Sequence, residues 1–286
     1  MHRIAICAPA TPISREIAAR VQAVAAETGG FELHFHEQCF VEEGHFAGPD
    51  ALRLAALLEC ANDPLFDTVW FAKGGYGSAR IAAAAVAGMD AAAQGKAFCG
   101  YSDCGYLLAA LYRENIGRPA HTPMPVDVGR EGGEVAVRRV LGWLAGDDGG
   151  LEPSLAPGLA PALAPGLDQQ PAVAFNLMTL AMLCGTRLMP DLSGHVVMVE
   201  EVAEHLYAID RMFFHLAEHL PGIAGLRLGR MSKVPVNDRP FGADVEEIAR
   251  DWCGRAGIPF LGHADIGHDA ANRIVPFGLA RPAARQ

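Results

Sequence analysis

Thr68-Val69-Trp70-Phe71-Ala72-Lys73-Gly74-Gly75-Tyr76-Gly77-Ser78 sets a β-branched and aromatic run directly against a glycine cluster. The run predicts a buried strand, and the glycines predict a tight turn into an alanine-rich helix starting near Ser78. The same grammar recurs on both sides. Residues 3–8 form a short apolar run ended by Pro9, and Ser14 can cap a helix whose Ile17, Val21 and Val24 share a face until Gly29-Gly30 stop it. Residues 31–36 are a second strand candidate, and Asp50 can cap a helix containing Leu54, Leu57 and Leu58. Downstream, Ala97-Phe98-Cys99 passes through Gly100-Tyr101-Ser102-Asp103 into an apolar helix beginning near Tyr106. Strands separated by helices of this length build βαβ units and a mostly parallel sheet, whose reactive groups sit at the carboxyl ends of the strands.

From 151 to 170 the composition changes, with a proline at every fourth residue from Pro153 to Pro165. A helix cannot tolerate that spacing and a central strand would lose its ladder, so a linker or long surface loop is expected. Beyond it the pattern predicts a helix around 176–184, a strand at 195–199, a helix around 209–219 and a short strand near 259–261. The expected architecture is α/β in two domains. Residues 1–147 form a mostly parallel sheet flanked by helices, 148–171 a linker, and 172–286 a smaller α/β domain.

Composition narrows the function. Of 286 residues, 51% are hydrophobic and 20% charged, enough apolar material for a buried core. A formal charge of −10 argues against a nucleic-acid backbone as partner. No apolar run reaches the roughly 18 residues that span a bilayer, and the stretch before Pro9 is too short for a signal-peptide core, so a membrane partner is not expected. Seven scattered cysteines, none in a Cys-x-x-Cys pair, argue against a disulfide framework or zinc knuckle; a reducing compartment is expected.

Ser102 follows an apolar strand and precedes an apolar helix. In that setting a hydroxyl is thrust out of the backbone, with the next N–H free to bind an oxyanion. Cys104 stands where Gly-x-Ser-x-Gly would place its second glycine, and a plain helix-capping serine is the competing reading. The Lys73-Gly74-Gly75-Tyr76-Gly77-Ser78 loop could cradle an anion or supply half an oxyanion hole, or be no more than a tight turn; it fits neither Walker A nor Gly-x-Gly-x-x-Gly. Val199-Glu200-Glu201-Val202-Ala203-Glu204 puts carboxylates at the end of an apolar strand, where a charge needs a partner. Gly262-His263-Ala264-Asp265-Ile266-Gly267-His268 offers two candidate bases. Together these give Ser, Glu and His in chain order.

Other candidates carry less. His34-x-His36 lacks companion ligands, and His215-x-x-Glu218-His219 matches a short zinc pattern with no third ligand in view. Cys99 and Cys104 flank Ser102 and open a thiol alternative, against which stands the usual role of strand cysteines as small core residues.

The glycine loop, Gly100-Tyr101-Ser102-Asp103, the string from Val199 through Tyr207-Ala208-Ile209-Asp210-Arg211, and Ile266-Gly267-His268 with Pro276-Phe277-Gly278 resemble the LD-carboxypeptidase family of serine peptidases. The resemblance spans nearly the whole chain in the family's order. It implies a cytoplasmic serine hydrolase that removes terminal D-alanine from murein tetrapeptides in cell-wall recycling. A second branch of the family inactivates microcin C-type peptidyl nucleotides, and an α/β-hydrolase-like esterase shares the Ser…acid…His order. By motif, Ser102 is the nucleophile, His268 the base and Glu200 its orienting carboxylate. The N–H groups of Gly75 and Asp103 form the oxyanion hole, and Tyr76, Asn176 and Tyr207 fall to substrate contact. The resemblance implies no metal or organic cofactor, a small murein-derived peptide as partner, and is compatible with a homodimer. Lys73 stands where the family has arginine, and Ala174-Phe175-Asn176-Leu177 replaces its Gly-Gly-Asn-Leu.

Overall fold

The computed structural model describes residues 1–155 and 169–279. Most of the proline-rich segment expected to be a linker lies outside the described residues.

The first half alternates as its sequence implies: β1 (His2–Cys7), α1 (Arg15–Thr28), β2 (Phe31–Phe35), α2 (Asp50–Asn62), β3 (Thr68–Phe71), α3 (Ser78–Gly88), β4 (Ala97–Gly100), α4 (Gly105–Arg113), β5 (Arg118–His121) and α5 (Gly133–Leu144). Ser14 caps α1 by accepting from the Ile17 N–H at 3.2 Å. Asp50 is not the cap of α2: Pro49 holds that position, and the Asp50 carboxylate is taken by Arg53 and Arg80 instead. The second half contains β6 (Ala172–Asn176), α6 (Leu177–Leu183), β7 (Val196–Val202), α7 (Leu206–His219), β8 (Gly225–Ser232), α8 (Val245–Ala256), β9 (Phe260–His263) and β10 (Val275–Pro276). Strand β7 runs three residues further than its apolar pattern suggests. Glu200 and Glu201 therefore lie within it rather than after it.

Two sheets result. The first has the order β10-β5-β4-β3-β1-β2, with β1 to β5 parallel and β10 antiparallel to β5. The second is parallel, in the order β6-β7-β8-β9. In the first sheet the chain leaves β1 for β2 on one side and β3 on the other, so the crevice between the ends of β1 and β3 is a topological switch point, where α/β sheets bind ligands. The Lys73–Ser78 glycine loop opens there.

Core packing joins the halves. One apolar cluster runs from Leu57, Ile81 and Leu107 on the helices of the first half to Phe175, Val197, Ile209 and Phe213 of the second. On the opposite face of the second sheet Ala172, Ala174, Val196 and Met198 are covered by Ala264, Ile266 and Val275. The segment after β9 thus crosses back over its own sheet. It follows the β8 edge closely: the Ala264 N–H donates to the Leu228 carbonyl and the Arg230 N–H to the Ile266 carbonyl, at 2.9 and 2.8 Å. A Cβ on Gly229 would lie 2.6 Å from Ile266 Cγ1 and 2.9 Å from the Val199 carbonyl, so only glycine permits this approach.

Candidate active site

Strand β4 ends at Gly100, Tyr101 stays extended, and Ser102 turns at φ +60°, a left-handed conformation that costs a non-glycine residue energy. A short 3₁₀ turn over Ser102–Cys104 then feeds α4. The strain lifts the serine out of the strand direction and projects its Oγ. Beside it runs the glycine loop. A Cβ on Gly74 would lie 3.0 Å from Ser102 Cβ, 3.1 Å from its Oγ and 3.4 Å from the Asp103 nitrogen. Thr11, in the segment after β1, fixes this contact by donating its hydroxyl to the Gly74 carbonyl at 2.6 Å, and Gly75 packs on the Thr11 side chain. The two segments expected to supply oxyanion donors, around Gly75 and Asp103, are therefore neighbours.

Asp103 locks the arrangement from behind. Its carboxylate accepts the Ser78 N–H at 2.8 Å, and the Ser78 hydroxyl donates to the Asp103 carbonyl at 2.5 Å. Burial pushes the Asp103 carboxyl up, while the Ser78 donors and a Gly77 N–H pull against it. Arg53 adds a brace that the sequence does not announce. Fully buried, it donates to the Gly77 carbonyl at 2.9 Å, to the Gly48 carbonyl at 3.2 Å and to the Pro9 carbonyl, tying three loops to α2.

The second half brings the acid and base. The pleat of β7 sends its two adjacent carboxylates to opposite faces. Glu201, on the helix side, accepts from Asn176 Nδ2 at 2.7 Å and from the Met178 and Val202 N–H groups at 2.8 Å. Glu200, completely buried, accepts from His268 Nδ1 at 2.5 Å. His268 Nε2 lies 3.0 Å from Ser102 Oγ. With Nδ1–H given to Glu200, Nε2 is left as the acceptor of the serine proton. Burial alone would lower the His268 pKa, but the Glu200 charge and hydrogen bond outweigh it and hold the imidazole above its ordinary value. Burial likewise raises the Glu200 carboxyl, with His268 opposing. Ser102, His268 and Glu200 thus form one hydrogen-bonded line across the two halves, suited to nucleophilic attack by a hydroxyl with proton transfer.

The remaining candidates fall elsewhere. His263 is largely exposed and pairs with Glu246 at 3.0 Å, away from the serine. Cys99 and Cys104 are fully buried; burial pushes the Cys99 thiol up to about 12 and Cys104 up as well, the wrong direction for a thiolate nucleophile. Asn176 is buried, its amide nitrogen on Glu201 and its oxygen capping α6 through the Thr179 N–H at 3.1 Å. Tyr76 is half exposed on the glycine loop beside His45 and Phe46, and Tyr207, half exposed in the first turn of α7, stacks on His205. The His215 and His219 rings lie 4.1 Å apart. Among the described residues no group of three or more His, Cys, Asp or Glu side chains is placed to hold a metal, and no helix is long and apolar enough to cross a membrane.

Comparison with known proteins gives the family and the fold. The LD-carboxypeptidase N-terminal domain matches residues 4–121 and the LD-carboxypeptidase C-terminal domain matches residues 171–281. A murein tetrapeptide carboxypeptidase from Pseudomonas aeruginosa is 26% identical over 289 residues, covering 96% of this chain and 91% of its own. The crystal structure of a muramoyltetrapeptide carboxypeptidase from Oxalobacter formigenes superposes with a TM-score of 0.76 at 25% identity, over 96% of this chain and 93% of that one. The microcin C7 self-immunity protein MccF, in complex with aspartyl sulfamoyl adenosine, shares the fold at TM-score 0.77 and 16% identity, over 97% and 91% of the two chains.

Proposed function

The chain belongs to the LD-carboxypeptidase family, and from that premise we propose that it is a serine carboxypeptidase. Its reaction is hydrolysis of an L,D-peptide bond, releasing terminal D-alanine from murein tetrapeptides in the cytoplasm as cell-wall material is recycled. The observation that carries this reading is the Ser102–His268–Glu200 line, with spacings of 3.0 and 2.5 Å.

In the mechanism, Ser102 Oγ attacks the carbonyl carbon of the penultimate residue as its proton passes to His268 Nε2. The carbonyl π pair moves onto oxygen, and the oxyanion settles against the N–H groups of Gly75 and Asp103. Glu200 holds the imidazole in the required tautomer and stabilises its cation. His268 then returns the proton to the departing nitrogen, the C–N bond breaks, and D-alanine leaves an acyl-Ser102 ester. Water, deprotonated by the same imidazole, attacks the ester and restores the hydroxyl. Residues present in the chain suffice for every proton moved.

Murein peptide as substrate is supported by relatives named for it that match along most of both chains. The test is mass spectrometry of murein tetrapeptide incubated with the protein and with Ser102→Ala. Loss of one alanine by the wild type alone is the expected result. Intact tetrapeptide with both proteins overturns the murein assignment and turns the search to peptidyl nucleotides; equal turnover by both overturns the nucleophile.

A further inference from the structure

Arg130 stands outside the Ser–His–Glu line yet bonds to groups beside both its serine and its histidine. It follows the 3₁₀ turn Pro125–Gly129 in the first half, and its Nη1 donates to the backbone carbonyl of His268 at 2.6 Å. Its Nε donates to Asp127 Oδ1 at 2.7 Å, and Asp127 is buried. The same Oδ1 accepts the Tyr101 hydroxyl at 3.1 Å, while Oδ2 takes the Met124 N–H at 2.8 Å. Tyr101 immediately precedes Ser102, and its ring lies 4.8 Å from that of His268. One guanidinium thus connects the strand end bearing the serine to the loop bearing the imidazole.

We propose that Arg130 is a positioning residue that holds the His268 loop in register with Ser102, through a Tyr101–Asp127–Arg130 chain built entirely in the first half. This rests on the serine-hydrolase reading above. The fork geometry of arginine is what the site uses, since one planar group must serve a carboxylate and a carbonyl in different directions. Its charge has a second effect. The charged and titratable groups around His268 are Glu200 on the near face of β7, Glu201 on its far face, Tyr101 after β4, His121 at the end of β5, the adjacent Asp269 with its partner Arg230, and Arg130. Burial keeps Tyr101 protonated and His121 neutral, with His121 pulled down to about 4. Arg130 disfavours a second positive charge on His268 and partly offsets the two glutamates. Removing Arg130 should therefore loosen the base and raise its pKa together.

Two variants test this. Arg130→Met should lower kcat on the tetrapeptide about 100-fold, the scale of a 1 Å misplacement of a catalytic group, with KM within about twofold of wild type. The acid limb of its kcat/KM profile should move to higher pH, and NMR titration of the His268 imidazole should move the same way. Arg130→Lys keeps the charge without the fork, so its titration should stay near wild type while kcat recovers only in part. An unchanged kcat and an unmoved His268 titration in folded Arg130→Met overturn the proposal. So does a loss of kcat that follows thermal unfolding while the titration stays put. If the wild type releases no alanine, the functional reading fails separately; the NMR titration needs no substrate and still decides whether Arg130 acts on His268.

Discussion

The two halves build their parts of the site by different physics. In the first, backbone does the work: Ser102 sits in a strained left-handed turn, Gly74 lies in contact with it, and Thr11 and Ser78 fasten the loops by hydrogen bonds to and from the main chain. In the second, side chains do the work: a buried carboxylate within β7 receives an imidazole carried on a loop that crosses the sheet. The first construction is sensitive to shape, the second to charge.

Substitutions can break each kind of construction separately. The largest effect is expected for His268→Ala, which should match Ser102→Ala in lowering kcat by several orders of magnitude, because members of such a line fail as a unit. Glu200→Gln should also be severe but about 10- to 100-fold milder, since the imidazole remains; single-turnover kinetics would measure the gap. On the shape side, Gly74→Ala adds a methyl about 3 Å from the serine side chain and should cost about 100-fold in kcat with His268 titrating as in wild type. Arg53→Met should act on stability, by about 3 kcal/mol in denaturant melts, because it strands the buried carbonyls of Pro9, Gly48 and Gly77. The smallest effect is for His263→Gln, whose exposed side chain meets only the second-half surface; activity should stay within about twofold.

The charge side also has a pH signature. A protonated His268 cannot take the serine proton. Because Glu200 holds the imidazole above the ordinary value of 6.5, kcat/KM should fall on acidification through a midpoint above that value. In Gly74→Ala the midpoint should not move, and in Glu200→Gln it should drop, since burial is then the dominant influence on the imidazole. A profile whose midpoint stays fixed in Glu200→Gln would mean that another group governs the limb.

Legibility in the sequence divides along the same line. Apolar runs stopped by glycine are local signals, so β3, β4 and the helices after them could be read, and with them the strand-turn-helix setting of Ser102. The α/β architecture followed. What could not be read was set by distant partners. Arg53 looks like a surface residue of a leucine-rich helix until loops 24 and 44 residues away place their carbonyls over it. Arg130 and His268 are 138 residues apart. Glu200 falls beyond the end of the strand that the apolar pattern predicts, because a carboxylate rarely extends a buried strand; the imidazole opposite makes its place within β7 tolerable. The choice of His268 over His263 came from family resemblance, since both follow a glycine, and the geometry distinguishes them by a hydrogen bond that local sequence does not encode.

Strand β10 is two residues long, yet Val275 and Pro276 lie opposite His121 and Ala120 in the first sheet after a chain that has just completed the second. The Gly278 and Ala172 backbones then exchange hydrogen bonds at 2.9 Å. The same segment meets both flanks of the covalent crossing, since the Glu152 N–H just upstream of it donates to the Ile274 carbonyl at 2.9 Å and Ala172 lies just downstream. A chain nicked between residues 156 and 168 would remain one object, its downstream fragment clasped by the upstream fragment's edge strand. Two separately expressed fragments, 1–155 and 169–286, should accordingly find each other and regain turnover on mixing.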